Sequence, residues 1–225
     1  MKKQAVVEEN KTDMKTSVWI IPLIALVVGG AIGFVAGHSS NERLMDRNMT
    51  NSAGMDDESN ASKMRLSLNI LLREHTSLAA NTLIASYDGK DTTELQNLMD
   101  KNASQITEGV KLVYGSEVSG KFSTLWRNHM TEYMNYAMAK KNGDQNGMDT
   151  AKNNLNKMAG EFGNLLKTED LPADAITKLI NEHFTGTLAL IDAHSAGDAV
   201  KEADLMKMGA DQAGKIADTL SGAVR

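Results

Sequence analysis

Cysteine is absent from all 225 residues. That removes disulfides, thiolate metal sites, iron–sulfur clusters and a cysteine nucleophile from consideration. Proline occurs twice and aromatics make up 4%, so a core must be built from Leu, Ile, Val, Ala and the fourteen Met. No stretch alternates β-branched and polar residues with the period of two that a half-buried strand needs. Ala, Leu, Lys, Glu and Met abound instead, and the fold class reads as all-α. Excess positive charge is also lacking: from Met64 onward 17 Lys and Arg face 21 Asp and Glu, a net of −4. That balance repels phosphate backbones, and no basic stripe interleaved with aromatics appears, so no nucleic-acid partner is expected. Nucleophile elbow, P-loop, dinucleotide fingerprint and EF-hand loop are all missing. No pair of carboxylates stands out in an apolar setting. No catalytic residue is assigned, and an enzyme is not expected.

What is present begins with a long apolar run. Residues 18–37, VWIIPLIALVVGGAIGFVAG, carry no charge, and a helix of this length reaches ~30 Å, enough to cross a hydrocarbon core. Trp19 suits the interface, and Pro22 falls near the first turn, where a missing amide donor is tolerated. The run exceeds the ~7–15 residues of a signal-peptide core, which favours an uncleaved anchor, although Ala36-Gly37 would suit a signal peptidase. Lys2, Lys3, Lys11 and Lys15 precede it, and Arg43 and Arg47 follow. The bias places residues 1–17 in the cytoplasm and the remainder of a single-pass protein outside the cell membrane. Gly29, Gly33 and Gly37 make a GxxxGxxxG face through which two copies can pair in the bilayer. Residues 38–60 are rich in Ser, Asn, Asp and Met without apolar periodicity and read as a flexible linker. Met45, Met49, Met55 and Met64 in or beside it offer thioethers to Cu(I).

From residue 61 to 225 the chain repeats itself. Leucine, then histidine four later, then glycine fourteen after that, recurs every 54 residues: Leu71/His75/Gly89, Leu125/His129/Gly143 and Leu179/His183/Gly197. Such a period marks one supersecondary unit used several times. Apolar residues at three- and four-residue steps give six helices in three antiparallel hairpins. Gly89 can end the first outward helix in the left-handed conformation, and Asp91, three before Glu94, makes a capping-box-like start for the next; Asn142-Gly143-Asp144 makes the second turn, and the third outward helix ends near Gly197. Two arrangements fit the pattern, a closed helical bundle or a short stack of hairpins.

The segments Leu71-Leu72-Arg73-Glu74-His75 and Leu179-Ile180-Asn181-Glu182-His183, the corner Val113-Tyr114-Gly115 and the closing Ala217-Asp218-Thr219-Leu220 carry a resemblance. They resemble a group of uncharacterised bacterial membrane-anchored or exported helical proteins built from repeated Leu-x-x-x-His hairpins. The resemblance implies duplicated helical hairpins and no activity. The second unit departs from it, with Asn128 where the other units have Glu.

His75, His129 and His183 fall on the apolar stripes of their helices. In one reading each imidazole hydrogen-bonds a polar neighbour such as Asn102, Gln212, Thr82 or Tyr133, since buried polar groups are normally paired. In the other, the three converge and hold a transition metal with an open position for water or ligand, which requires the closed bundle. Glu74 and Glu182 are poor helpers, because adjacent helical residues point ~100° apart. His194 stands apart as a helix-end residue suited to the negative end of the dipole. Trp126, Tyr133 and Tyr136, on or beside the His129 stripe, are candidate pocket or interface residues. The function expected from these features is a membrane-anchored extracytoplasmic binding, protein-interaction or sensor module. Metal binding through the repeat histidines is the alternative.

Overall fold

The computed structural model describes residues 57–222. The apolar segment 18–37, with Gly29, Gly33 and Gly37, and the methionines Met45, Met49 and Met55 lie outside the described residues. Every element is a helix: α1 Asp57–Asp88, α2 Thr93–Asn142, α3 Gln145–Leu166, α4 Ala173–Ser195 and α5 Ala199–Ser221. Among the described residues no helix is long and apolar enough to cross a membrane. α1 reaches back to Asp57, so residues 57–60 of the stretch read as linker are helical.

Among the described residues five helices stand in place of the expected six, because two of the predicted segments join at Gly115. No loop separates the second and third predicted segments; α2 runs for 50 residues and leaves helical geometry inside only at Gly115, with φ 82° and ψ 171°. That backbone region disfavours any side chain, and one residue in it suffices to turn the chain. Arg127 Nη1 donates to Asp100 Oδ1 at 2.7 Å across the corner, so the arm after Gly115 lies back along the arm before it. The repeat glycines behave as their spacing predicts: Gly89, Gly143 and Gly197 have φ of 77°, 69° and 69°. Aspartates start the helices that follow two of them. Asp144 accepts from the amide of Gly147 and Asp198 from that of Lys201, each at 3.0 Å, satisfying donors that a helix start leaves unpaired. At the first turn Asp91 accepts from Thr93 N at 2.9 Å.

Packing settles the choice between bundle and stack. α1 lies against α2 and α5, α3 against α2 and α4, and α4 against α5, so the first and last helices are neighbours and the ring closes. Across the ring, α4 also touches both α1 and α2. Those three helices carry the repeat histidines, and their apolar stripes meet along the bundle axis. Leu71, Leu78 and Leu83 of α1, Ile106, Tyr133 and Tyr136 of α2, Leu155 and Phe162 of α3, and Ile176 of α4 are buried there. At ~25 cal/mol per Å² of apolar surface this burial is the main stabilising term. Gly163 lets α3 approach the start of α4: a Cβ there would come within 2.6 Å of the Ala173 carbonyl oxygen.

Candidate metal centre

Because residues one period apart sit at equivalent heights, the repeat brings the three histidines to one point. His75, His129 and His183 are 1%, 1% and 7% exposed, and one ligand nitrogen from each lies within 4.8 Å of the other two. Nε2 of His75 and Nε2 of His129 are 3.3 Å apart. Two nitrogens bound to one ion at ~2.05 Å stand ~3.3 Å apart in a tetrahedral shell and ~3.5 Å apart in a trigonal one. The first pair is already at a chelating distance. A cavity of ≈ 20 Å³ borders all three rings, about the room one water or one ion requires.

The rings' outer nitrogens suggest where the protons sit. Nδ1 of His75 and Nδ1 of His129 lack partners of good geometry, as does Oδ1 of Asn102. Asn102 commits its Nδ2 as a donor to the Leu71 carbonyl at 3.0 Å and to Glu74 Oε2 at 3.2 Å, which leaves Oδ1 as its free acceptor. Burial pushes His75 well below the usual imidazole range, as do His129 and His183, while Asn102 acts in the opposite direction. Burial, with His183, likewise lowers His129 to about 3, against a small upward pull from the Trp126 and Leu125 carbonyls of its own helix. Burial lowers His183 to about 4.

The two rings meet through Nε2 and Nε2 at 3.3 Å, a hydrogen bond in which one neutral imidazole donates and the other accepts. A cation seated between them would replace that hydrogen bond with two ligand bonds at nearly the same nitrogen–nitrogen separation. Neutral imidazoles with Nδ1–H facing a carbonyl or amide oxygen are the usual state of metal-ligating histidines.

Aromatic rings wall the cluster. Trp126 lies 4.5 Å from His75 and 4.8 Å from His129 between ring centroids, and Phe184 stacks on His129 at 5.7 Å. Tyr133 meets His129 edge-on at 5.4 Å. Trp126, Tyr133 and Tyr136 are all buried; Trp126 also lines a pocket of ≈ 290 Å³ between the two arms of α2 and the end of α1. Burial pushes the Tyr133 phenol well up, with Thr187 acting the other way, and Tyr136 donates to Asp192 Oδ1 at 2.9 Å.

None of the polar partners proposed from sequence makes a well-formed hydrogen bond to a histidine ring. Thr82 donates to Leu78 O, Gln212 to Leu179 O at 3.4 Å, and Asn102 as described. Phe184 escaped sequence reasoning because it adjoins His183, and one stripe does not hold two consecutive helical residues. α4 is buried on two faces, so both turn inward. Met64, the one linker-side methionine among the described residues, is half-buried near the start of α1.

His194 is elsewhere and is paired. Its Nδ1 lies 3.0 Å from Glu202 Oε2 and its Nε2 2.9 Å from Asp88 Oδ1, joining the ends of α1 and α4 to the start of α5. Burial alone would lower its pKa; hydrogen bonds and charge from Asp88 and Glu202 outweigh that and raise it.

Between α4 and α5 runs a groove of ≈ 1070 Å³ whose lining includes His183, Met206 and Met208. It exists because α5 buries nothing before Ala213. His183 borders both this groove and the small cavity at the cluster, and is the cluster's link to the surface.

Comparison of the chain with protein-family models, with curated proteins and with solved structures finds no match.

Proposed function

We propose that this protein is a membrane-anchored, extracytoplasmic metal-binding module, with His75, His129 and His183 as the ligands. One observation carries the reading: three buried neutral imidazoles present ligand nitrogens within 4.8 Å of one another, and two of them already stand at a chelating distance. Asn102 would orient His75 from behind, and the Leu125 and Trp126 carbonyls would orient His129. The rival account, a core of paired polar residues, has the His75 Nε2–His129 Nε2 hydrogen bond behind it but leaves Trp126 Nε1 without a partner beside both rings. Buried unpaired groups of this kind cost ~1–3 kcal/mol each.

Anchoring through residues 18–37, pairing of two copies through Gly29, Gly33 and Gly37, and display of the helical domain outside the membrane rest on the sequence.

Two experiments test the reading. Elemental analysis of the full-length chain, purified without a histidine tag, is expected to give one transition metal per chain. The expected content in His75→Ala, His129→Ala and His183→Ala is near zero. Equal metal content in all four proteins would sink the metal centre. Topology is accessible because the chain has no cysteine: Asn142→Cys, at the exposed end of α2, should react with a membrane-impermeant maleimide on intact cells. Labelling only after lysis would place the domain on the other side.

A further inference from the structure

Resting on the metal-binding reading, we propose that the centre selects a univalent soft cation, Cu(I). One ring nitrogen each from His75, His129 and His183 would hold it three-coordinate, loaded through the groove between α4 and α5. Three observations point the same way.

The first is charge. The ligand cluster consists of three imidazoles and contains no carboxylate, and its walls are Trp126, Phe162 and Phe184. Glu74 accepts from the Asn102 amide at 3.2 Å and is not among the three converging ligands. The cost of burying an ion rises with the square of its charge, so a divalent ion bears about four times the penalty of a univalent one in the same apolar box. With three neutral ligands and no counter-charge among them, the univalent ion is the one this box holds more cheaply.

The second is coordination number. Three imidazoles satisfy Cu(I) by themselves, whereas zinc held by three histidines takes a water as its fourth ligand. The cluster provides three, and the adjoining ≈ 20 Å³ leaves no space for a fourth side chain.

The third is the way in. His183 is the cluster member that reaches the groove, and Met206 and Met208 line the same groove, 37% and 62% exposed. Thioethers select Cu(I) over harder ions. Asp174, Glu182 and Asp211 also line it; as hard oxygen donors they draw divalent ions more strongly, so selection along the groove falls to the thioethers. Exposed thioethers leading to a buried imidazole place successively stronger ligands for Cu(I) along one path.

The test uses the full-length chain stripped with a chelator and kept anaerobic. Cu(I) is titrated against bicinchoninate and Zn(II) against a chromophoric zinc chelator. The expected result is one Cu(I) per chain, bound at least ~100-fold more tightly than Zn(II). Zn(II) bound as tightly as Cu(I), or more so, overturns the selectivity while leaving a metal centre in place. Binding of neither metal removes the metal centre and this inference together. For the route, the double variant Met206→Leu/Met208→Leu keeps side-chain volume and leaves the cluster untouched. Its Cu(I) stoichiometry should be unchanged, and its rate of loading from the bicinchoninate complex should fall ~10-fold. An unchanged rate overturns the groove as the path.

Discussion

Two kinds of histidine sit among the described residues, and they titrate with opposite consequences. In the metal-free protein His129 and His183 keep folded pKa values of about 3 and about 4, and His75 is also held well below its usual value. Between those values and the unfolded pKa of ~6.5 the unfolded chain binds more protons, so stability is whole above pH ~6.5 and is lost as the pH falls. Each imidazole contributes up to ~1.4 kcal/mol per pH unit in that window. Denaturant unfolding of the stripped protein from pH 7 to pH 5 should therefore show a steep loss, shallower by one group's share in His129→Leu. Identical slopes would mean that His129 is not buried and neutral. His194 runs the other way. Its folded pKa is raised, so the stability it adds is present below pH ~6.5 and disappears as the pH climbs through the raised value. His194→Gln should thus melt below the wild type at pH 6 and draw level with it at pH 9. A deficit that grew with pH would contradict the Asp88–His194–Glu202 clasp.

At the scale of elements, turn chemistry and stripe periodicity were legible in the chain, and tertiary closure was not. Gly89, Gly143 and Gly197 fall where helices end because the left-handed residue is specified locally. The histidines fall on apolar stripes because the 3.6 period is local as well. The corner at Gly115 was visible, but its form was not. Helix resumes on both sides of it, and the two arms of α2 meet at that one residue of positive φ. Gly163 shows the reverse case, a glycine whose reason lies in another helix. Gly163→Ala sets a methyl group against the Ala173 carbonyl, which is backbone and cannot swing aside. Overpacking of this kind costs ~1–3 kcal/mol, and with ~2–4 °C per kcal/mol for a chain of this size, calorimetry should record a melting temperature lower by several degrees. An unchanged melting temperature would show that α3 and α4 do not approach as closely as described.

For the whole molecule, the 54-residue period gave the helical repeats, but the centre arises only when the ring closes. Leu, His and Gly recur along the chain; nothing in that recurrence states that α1 meets α5, or that α4 crosses to touch both α1 and α2. Closure makes three equivalent positions into one site, and in a linear stack the same residues would stand a helix diameter apart. Phe184 and the His194 clasp stayed hidden for the same reason, since their partners come from distant helices. The account therefore stands on convergence, and X-ray absorption at the edge of the bound metal reads convergence directly. The full-length, metal-loaded chain should show three nitrogen scatterers at ~2.0 Å with the outer-shell pattern of imidazole. His183→Ala should lose one of them. A first shell of oxygen or sulfur, or a spectrum unchanged by His183→Ala, would contradict it.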